Sequence, residues 1–269
     1  MMSMQTLPAP PQRGFTLIEA IVVITITAII AAVVAVFIRA PVQGYFDSVR
    51  RAELTDTADT AVRRIGRDLH LALPNSVRVT TNGSAYYLEF LLTSGGGRYR
   101  ADTPGDPLDF TTADTGFDVL GPPVTTTAGE MVAIYNLGIT GADAYAGDNT
   151  SAITGTLGGA SNIPIAPKQF PFASPSNRFQ IIQYPVTYAC DPAAGTLTRY
   201  WNYPISAAQP TGFGSSSGAL LAKNVSACSF SYTQQVVTQR AGLVSATLQL
   251  SQNGESVNLY YEAHVSNAP

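Results

Sequence analysis

From Phe15 to Ile38 the chain reads FTLIEAIVVITITAIIAAVVAVFI, and between Ala20 and Ile38 no residue is charged. A run of that length and composition is enough to cross a bilayer as a helix. A helix buried in a globular domain would show a polar stripe, and none is present here. A cleavable secretory signal has a shorter apolar region with small residues at the cut, and no such site follows Ile38. The sequence therefore predicts a membrane helix that stays on the protein. Its one charge is Glu19. An unpaired carboxylate inside a bilayer costs about 2.5–3.5 kcal/mol on insertion scales, so Glu19 needs a cationic partner or a functional reason. Counting flanking cations does not set the orientation, because Arg13 on one side faces Arg39, Arg50 and Arg51 on the other.

The residues just before the run supply a reason. Arg13-Gly14-Phe15-Thr16-Leu17-Ile18-Glu19 resembles the type III signal of type IV prepilins and pseudopilins, in which a short polar leader ends in Gly and is followed by Phe and, at the fifth mature position, Glu. The resemblance implies that residues 1–14 are a leader removed by prepilin peptidase between Gly14 and Phe15, on the cytoplasmic side. It also implies N-methylation of the new Phe15 amine. That ammonium is then the counter-ion for Glu19 of a neighbouring subunit, and a single polar pair in an apolar seam sets register.

Beyond residues 15–38, the transmembrane or filament-core half, Pro41 predicts a bend, since proline removes a backbone bond and crowds the preceding turn. Residues 39–73 then read as an amphipathic continuation. Val42, Tyr45, Phe46, Val49, Ala58, Ala61, Val62, Ile65, Leu69 and Leu73 recur mostly at spacings of three and four, a stripe suited to lie on a sheet. Arg63, Arg64 and Arg67 are interleaved with acids, which reads as a solvated helix face rather than a nucleic-acid patch. Pro74-Asn75 is expected to end the helix, so that residues 15–73 would span about 88 Å at 1.5 Å per residue.

From residue 74 to 269 the helical period gives way to short β-type runs: 76–81, 85–92, 131–136, 178–183, 186–189, 196–201, 225–232, 243–250 and 256–265. In the clearest hairpin Val244, Ala246, Leu248 and Leu250 alternate with polar neighbours, and Asn253-Gly254 turns the chain into Val257, Leu259, Tyr261 and Ala263. Asp191-Pro-Ala-Ala-Gly195 is a second turn. Residues 93–177, rich in Gly, Thr, Ala, Asp and Pro, are expected to form long loops. The fold class is α+β, a long N-terminal helix packed on a β-rich antiparallel head, which the resemblance renders as the lollipop of a pilin.

Composition excludes much chemistry. Of 269 residues only 12% are charged and 45% are hydrophobic, with a net charge of −3, two Cys and two His. Two Cys and two His scattered without ligand spacing leave no room for an all-Cys/His zinc site or an iron–sulfur cluster, and phosphate-backbone binding is not the main task, so nucleic acid is not expected as a partner. His70 and His264 come from the helix end and the last strand with no motif around them. Gly214-Ser-Ser-Ser-Gly218 has the letters of a hydrolase nucleophile elbow but lacks a strand before it, a helix after it and an ordered acid and His downstream. Asp102, Asp106, Asp109, Asp114 and Asp118, or Asp143 and Asp148, are residues of the type that ring calcium, but without EF-hand spacing they read better as solvated loop carboxylates. The expectation is no catalysis, no resident metal and no cofactor.

The head refines the resemblance. Leu69-His-Leu-Ala-Leu-Pro-Asn-Ser-Val77, Val186-Thr-Tyr-Ala-Cys-Asp-Pro-Ala-Ala-Gly-Thr-Leu-Thr-Arg199, Asn224-Val-Ser-Ala-Cys-Ser-Phe230 and Leu259-Tyr-Tyr-Glu-Ala-His-Val-Ser-Asn-Ala-Pro269 are similar to the MshO group of MSHA-type pilus biogenesis proteins, minor pilins related to PilW and to J-type pseudopilins. The resemblance implies a single-pass inner-membrane protein of a Gram-negative-type envelope, with a periplasmic head that later joins the pilus at the cell surface. Its partners would be prepilin peptidase, other minor and major pilins and the inner-membrane assembly platform. With the head outside the cytoplasm, Cys190 and Cys228 read as a disulfide, the alternative being two separate buried thiols. Two other functions stand beside the minor pilin: a J-type pseudopilin of type II secretion, and a pilus-tip adhesion or DNA-uptake subunit whose ligand site lies in residues 93–177.

Overall fold

The computed structural model describes residues 14–127, 129–155, 157–234 and 241–269, so the leader lies outside the described residues except for Gly14. The chain divides into two units, residues 1–50 and 51–269. One helix, α1 (Leu17–Leu69), contributes to both, and the remaining extended structure consists of antiparallel strands, which gives the expected α+β class.

In the first unit the apolar side chains of α1 are exposed, Leu17 at 81% and Phe37 at 75%. The helix runs through Pro41 without interruption. Its hydroxyls do not compete with the ladder. Thr25 Oγ1 donates to the Ile21 and Val22 carbonyls, each at 2.9 Å, and Thr27 Oγ1 to the Val23 carbonyl at 2.7 Å, so each polar group is satisfied on its own helix. Val42, Tyr45, Phe46 and Val49, expected in the buried stripe, are exposed.

The second unit holds β1 (Arg78–Asn82), β2 (Ala85–Tyr99), β3 (Asp114–Leu120), β4 (Val124–Thr126), β5 (Met131–Ile134), β6 (Thr150–Ala152), β7 (Leu157–Ala160), β8 (Asn162–Lys168), β9 (Arg178–Asp191), β10 (Thr196–Trp201), β11 (Ser217–Lys223), β12 (Val225–Thr233), β13 (Ala241–Gln252) and β14 (Glu255–Ser266). The main path of the large sheet is β11-β10-β9-β2-β3-β8, with β1 on β2 and β5 joining β9 to β6. A second sheet is ordered β12-β13-β14, and β4 pairs with β7. The buried stripe of α1 starts at Leu54 and continues through Ala58, Ala61, Val62, Ile65 and Leu69. It shares one core with Leu88, Phe90 and Tyr188 of the large sheet and with Val244, Leu248 and Val265 of the small one.

Three further expectations need correction. The helix ends at Leu69 rather than Leu73. The Leu71 and Ala72 amides bond three residues back, the Leu73 amide turns to the Leu91 carbonyl, and Asn75 takes a left-handed φ of 58°. Pro74 makes that exit inevitable, because it disfavours helical backbone at the residue before it. Residues 93–177 are not long loops throughout. They hold the end of β2 and all of β3 to β8, and a second core forms from Tyr99, Phe117, Val132, Ile163, Ile165 and Phe179. Last, 178–183 and 186–189 are a single strand, β9. Pro185 falls between the part of β9 that pairs with β5 (Phe179–Ile182) and the part that pairs with β10 (Val186–Asp191).

The turns behave as their residues dictate. Asn253 and Gly254 take φ of 50° and 87°, closing β13 on β14 at Gln252–Glu255. The Asp191 carboxylate accepts the Ala193 and Ala194 amides at the turn into β10. Within β2, a Cβ at Gly96 would lie 2.6 Å from the Phe179 carbonyl oxygen, so the bulged approach to β9 requires glycine there.

Two charged clusters are buried under these sheets. Arg199 Nε and the Tyr188 hydroxyl donate to Asp68 at 2.6 and 2.8 Å, tying the last turn of α1 to β9 and β10. Burial works against the Arg199 charge, but the bond and charge of Asp68 outweigh it and the guanidinium is held more firmly protonated than usual. Glu89, wholly buried, accepts Arg78 Nε at 2.7 Å and the Tyr203 hydroxyl at 3.1 Å. Burial raises the Glu89 carboxyl above its ordinary value, against the lowering effect of Arg78 and Tyr203. A carboxyl that holds its proton more tightly folded than unfolded favours the fold below about pH 4.5, and that contribution is lost as pH rises through the folded value. Chemical denaturation of the wild type and Glu89→Gln should therefore show the wild type losing stability relative to the variant as pH rises above about 4.5. A difference that stays flat with pH would refute the assignment.

Candidate functional site

The segment singled out by its sequence sits at the start of α1. Gly14, Phe15 and Thr16 precede the helix in non-helical backbone and are exposed, Phe15 at 70%. A Cβ at Gly14 would meet no heavy atom within 4 Å. The peptide between Gly14 and Phe15 thus lies outside the hydrogen-bonded helix.

Thr16 caps α1. Its Oγ1 accepts the Glu19 amide at 3.3 Å, and its carbonyl accepts the Ala20 amide at 3.1 Å. Thr16-Leu-Ile-Glu19 is the S/T-x-x-E signature of a helix start, a second meaning of Glu19 that the reading by motif passed over. The Glu19 carboxylate lies in the first turn, where the helix dipole favours negative charge, and it is exposed. The structure therefore brings Gly14, Phe15 and Glu19 together at one helix end.

Elsewhere only the two cysteines converge. Cys190 of β9 and Cys228 of β12 are joined in a disulfide, Cα atoms 6.5 Å apart, which links the large sheet to the small one. Closing a loop across 38 positions contributes about 4 kcal/mol in the chain-entropy account. Gly214–Gly218 is a turn leading into β11, with no helix after it. His70 and His264 are exposed and belong to separate elements.

The loop aspartates serve their own loops. Asp109 accepts the Thr111 and Thr112 hydroxyls and the Thr111 amide, which hold its carboxyl down at about 2. Asp118 accepts the Asp106 amide, Asn162 Nδ2 and Arg100 Nε, and Asp148 the Gly141 and Asp143 amides. Among the described residues no three acidic, His or Cys side chains gather as a metal site. Sequence reasoning also missed the Asp68–Arg199 and Glu89–Arg78 clusters. The one visible signal was Glu89 itself, a lone charge in the apolar run Tyr87-Leu-Glu-Phe-Leu-Leu92. Nor did it find an open cleft of about 490 Å³ lined by Met131, Tyr145, Tyr184, Asn202, Tyr203 and Ile205.

Residues 10–35 match the family model of the prokaryotic N-terminal methylation motif. The chain carries the signature of a type IV pilin-like prepilin. No curated protein and no solved structure matches it. The motif implies processing by prepilin peptidase and assembly with other pilins, and α1 is long and apolar enough for the single membrane anchor of such a prepilin. Because Gly14 touches nothing, Gly14→Ala should leave folding and membrane insertion of the prepilin unchanged while blocking removal of the leader. Intact mass of the membrane-extracted chain reads this directly, and a normally shortened chain would contradict it.

Proposed function

We propose that this prepilin is a minor pilin of the MshO kind, a non-enzymatic subunit that joins or primes an MSHA-like type IV pilus after its leader is removed. The observation that carries the reading is the exposed, non-helical Gly14-Phe15 junction ahead of an apolar helix whose one early charge is Glu19. After cleavage the methylated Phe15 amine would pair with Glu19 of a neighbouring subunit. Lipid tails are as apolar as the side chains from Leu17 to Ile38, so hydrophobicity does not select neighbours within the bilayer, and that pair with close packing does.

The four head segments similar to MshO proteins favour the MSHA-type pilus over the J-type pseudopilin. A ligand-binding head has one observation in its favour, the Tyr145–Tyr184–Tyr203 cleft, which draws partly on residues 129–150 of the segment first expected to hold such a site.

The test is the N-terminal peptide of protein purified from membranes of cells carrying the matching prepilin peptidase. A chain beginning at N-methylated Phe15 is expected, and one beginning at Met1 would leave an ordinary membrane anchor. In the same cells Glu19→Ala should insert normally yet fail to enter pili. Normal piliation with that variant would sink the register role.

A further inference from the structure

The small sheet leaves one edge unguarded. β14 pairs with β13 at all twelve positions from Glu255 to Ser266 without a register shift, and no described strand pairs with its other side. Because Asn253-Gly254 is a two-residue turn, the closing pair Gln252–Glu255 is hydrogen-bonded across the hairpin. The backbone groups of Ser256, Asn258, Tyr260, Glu262 and His264 then point away from β13. Open edges invite pairing, and proteins blunt them with bulges, proline or lysine. The strands that end the other sheet paths are blunted: β12 is bulged at Val225–Ala227, β11 pairs through a bulge and ends in Lys223, and β8 carries Pro164 and Pro167. β14 has no proline, lysine or bulge.

Beside that edge runs a charged groove. The Tyr261 ring of β14 reaches α1 so closely that a Cβ at Gly66 would stand 1.9 Å from its hydroxyl, and Arg51 donates to Glu255 at 2.7 Å. The helix therefore lies along β14. Between them a groove of about 600 Å³ is lined by Arg63, Arg67 and His70, together with Asp59, Thr60, Gly66 and Tyr261. Arg63 is engaged with Asp59 at 2.6 Å. Two arginines and a histidine, against one aspartate, line this stripe at the spacing of successive helical turns.

We propose that the β14 edge accepts an added strand from a different protein, an extended segment whose alternate side chains are carboxylates facing Arg63, Arg67 and His70. Strand addition supplies main-chain hydrogen bonds, and every second side chain supplies selectivity. A second copy of this chain fits poorly. The Gly66–Tyr261 contact lies near the middle of β14, so two-fold pairing through this edge would bring two sets of Arg63 and Arg67 together about the axis.

Two fluorescent ten-residue peptides test the proposal on the full chain in detergent, one alternating Glu with Thr and one alternating Lys with Thr. The Glu peptide should bind at least tenfold more tightly. Hydrogen exchange should slow at the Ser256, Asn258, Tyr260, Glu262 and His264 amides, while the amides already paired with β13 stay unchanged. Arg63→Glu with Arg67→Glu, at exposed positions, should reverse the preference. Asn258→Pro should abolish binding of both peptides, because its amide is not part of the β13 ladder, and the charge reversal keeps the test informative should that variant fold poorly. Equal binding of the two peptides, protection elsewhere than β14, or dimerisation of the chain through this edge would overturn the proposal. The outcome does not depend on leader removal, so failure here leaves the N-terminal peptide test of the pilin reading standing.

Discussion

One stripe of a helix closes two sheets at once. Leu54, Ala58, Ala61, Val62, Ile65 and Leu69 share a core with side chains from β2, β9 and β10 and with others from β12, β13 and β14. Burying a large aliphatic side chain is worth about 1.5–3 kcal/mol, and the three largest here, Leu54, Ile65 and Leu69, are each almost wholly buried. A three-stranded sheet is a marginal structure until its apolar face is covered. In this chain the stripe covers it, the Cys190–Cys228 disulfide ties it to the large sheet, and Asp68 holds the last turn of the helix against Arg199 and Tyr188. The small residues Ala58 and Ala61 and the bare Gly66 belong to the same design, since each lets a sheet side chain approach the helix.

The parts of this arrangement that were legible in advance are those with a strong local code. An apolar run without a polar stripe and the pair Asn253-Gly254 between alternating strands each specify structure over a few residues. Pro185 hid the continuity of β9, because a proline in a strand pattern ordinarily argues for a boundary. Here it sits where the strand changes neighbours and the missing amide is tolerated. Pro164 and Pro167 hid β8 in the same way, and β8 is the terminal strand of the sheet path, where proline belongs. The glycine run Gly95-Gly96-Gly97 looked like a loop and is instead the bulged stretch where β2 approaches Phe179. In each case a deciding contact comes from a strand remote in the chain, β5 for Pro185, β3 for β8 and β9 for the glycines, which no local pattern contains.

The candidate site shows the opposite limitation. Its residues were legible as a motif, but their local physics was not drawn from the motif. Thr16 and Glu19 form a helix-start pair whose value is independent of any neighbouring subunit: the hydroxyl satisfies an amide that the helix leaves without a partner, and the carboxylate sits where the dipole favours it. A carboxylate at that place therefore costs less than one farther along the apolar run. The same position leaves it exposed at the helix end beside Phe15, so a local preference and an intermolecular role need not compete for it.

The unmet demands of the chain lie on two kinds of surface. The apolar side chains from Leu17 to Ile38 are exposed, and only lipid or other apolar helices can satisfy them. The outward amides and carbonyls of β14 ask for something different, since water can solvate them but another strand satisfies them with direction and register. An apolar surface selects weakly among apolar partners, whereas a strand edge beside a line of cations selects by charge and spacing together. On the proposed reading, a subunit that has to sit at one particular place among many similar helices would gain its placement from the second kind of surface and its retention from the first.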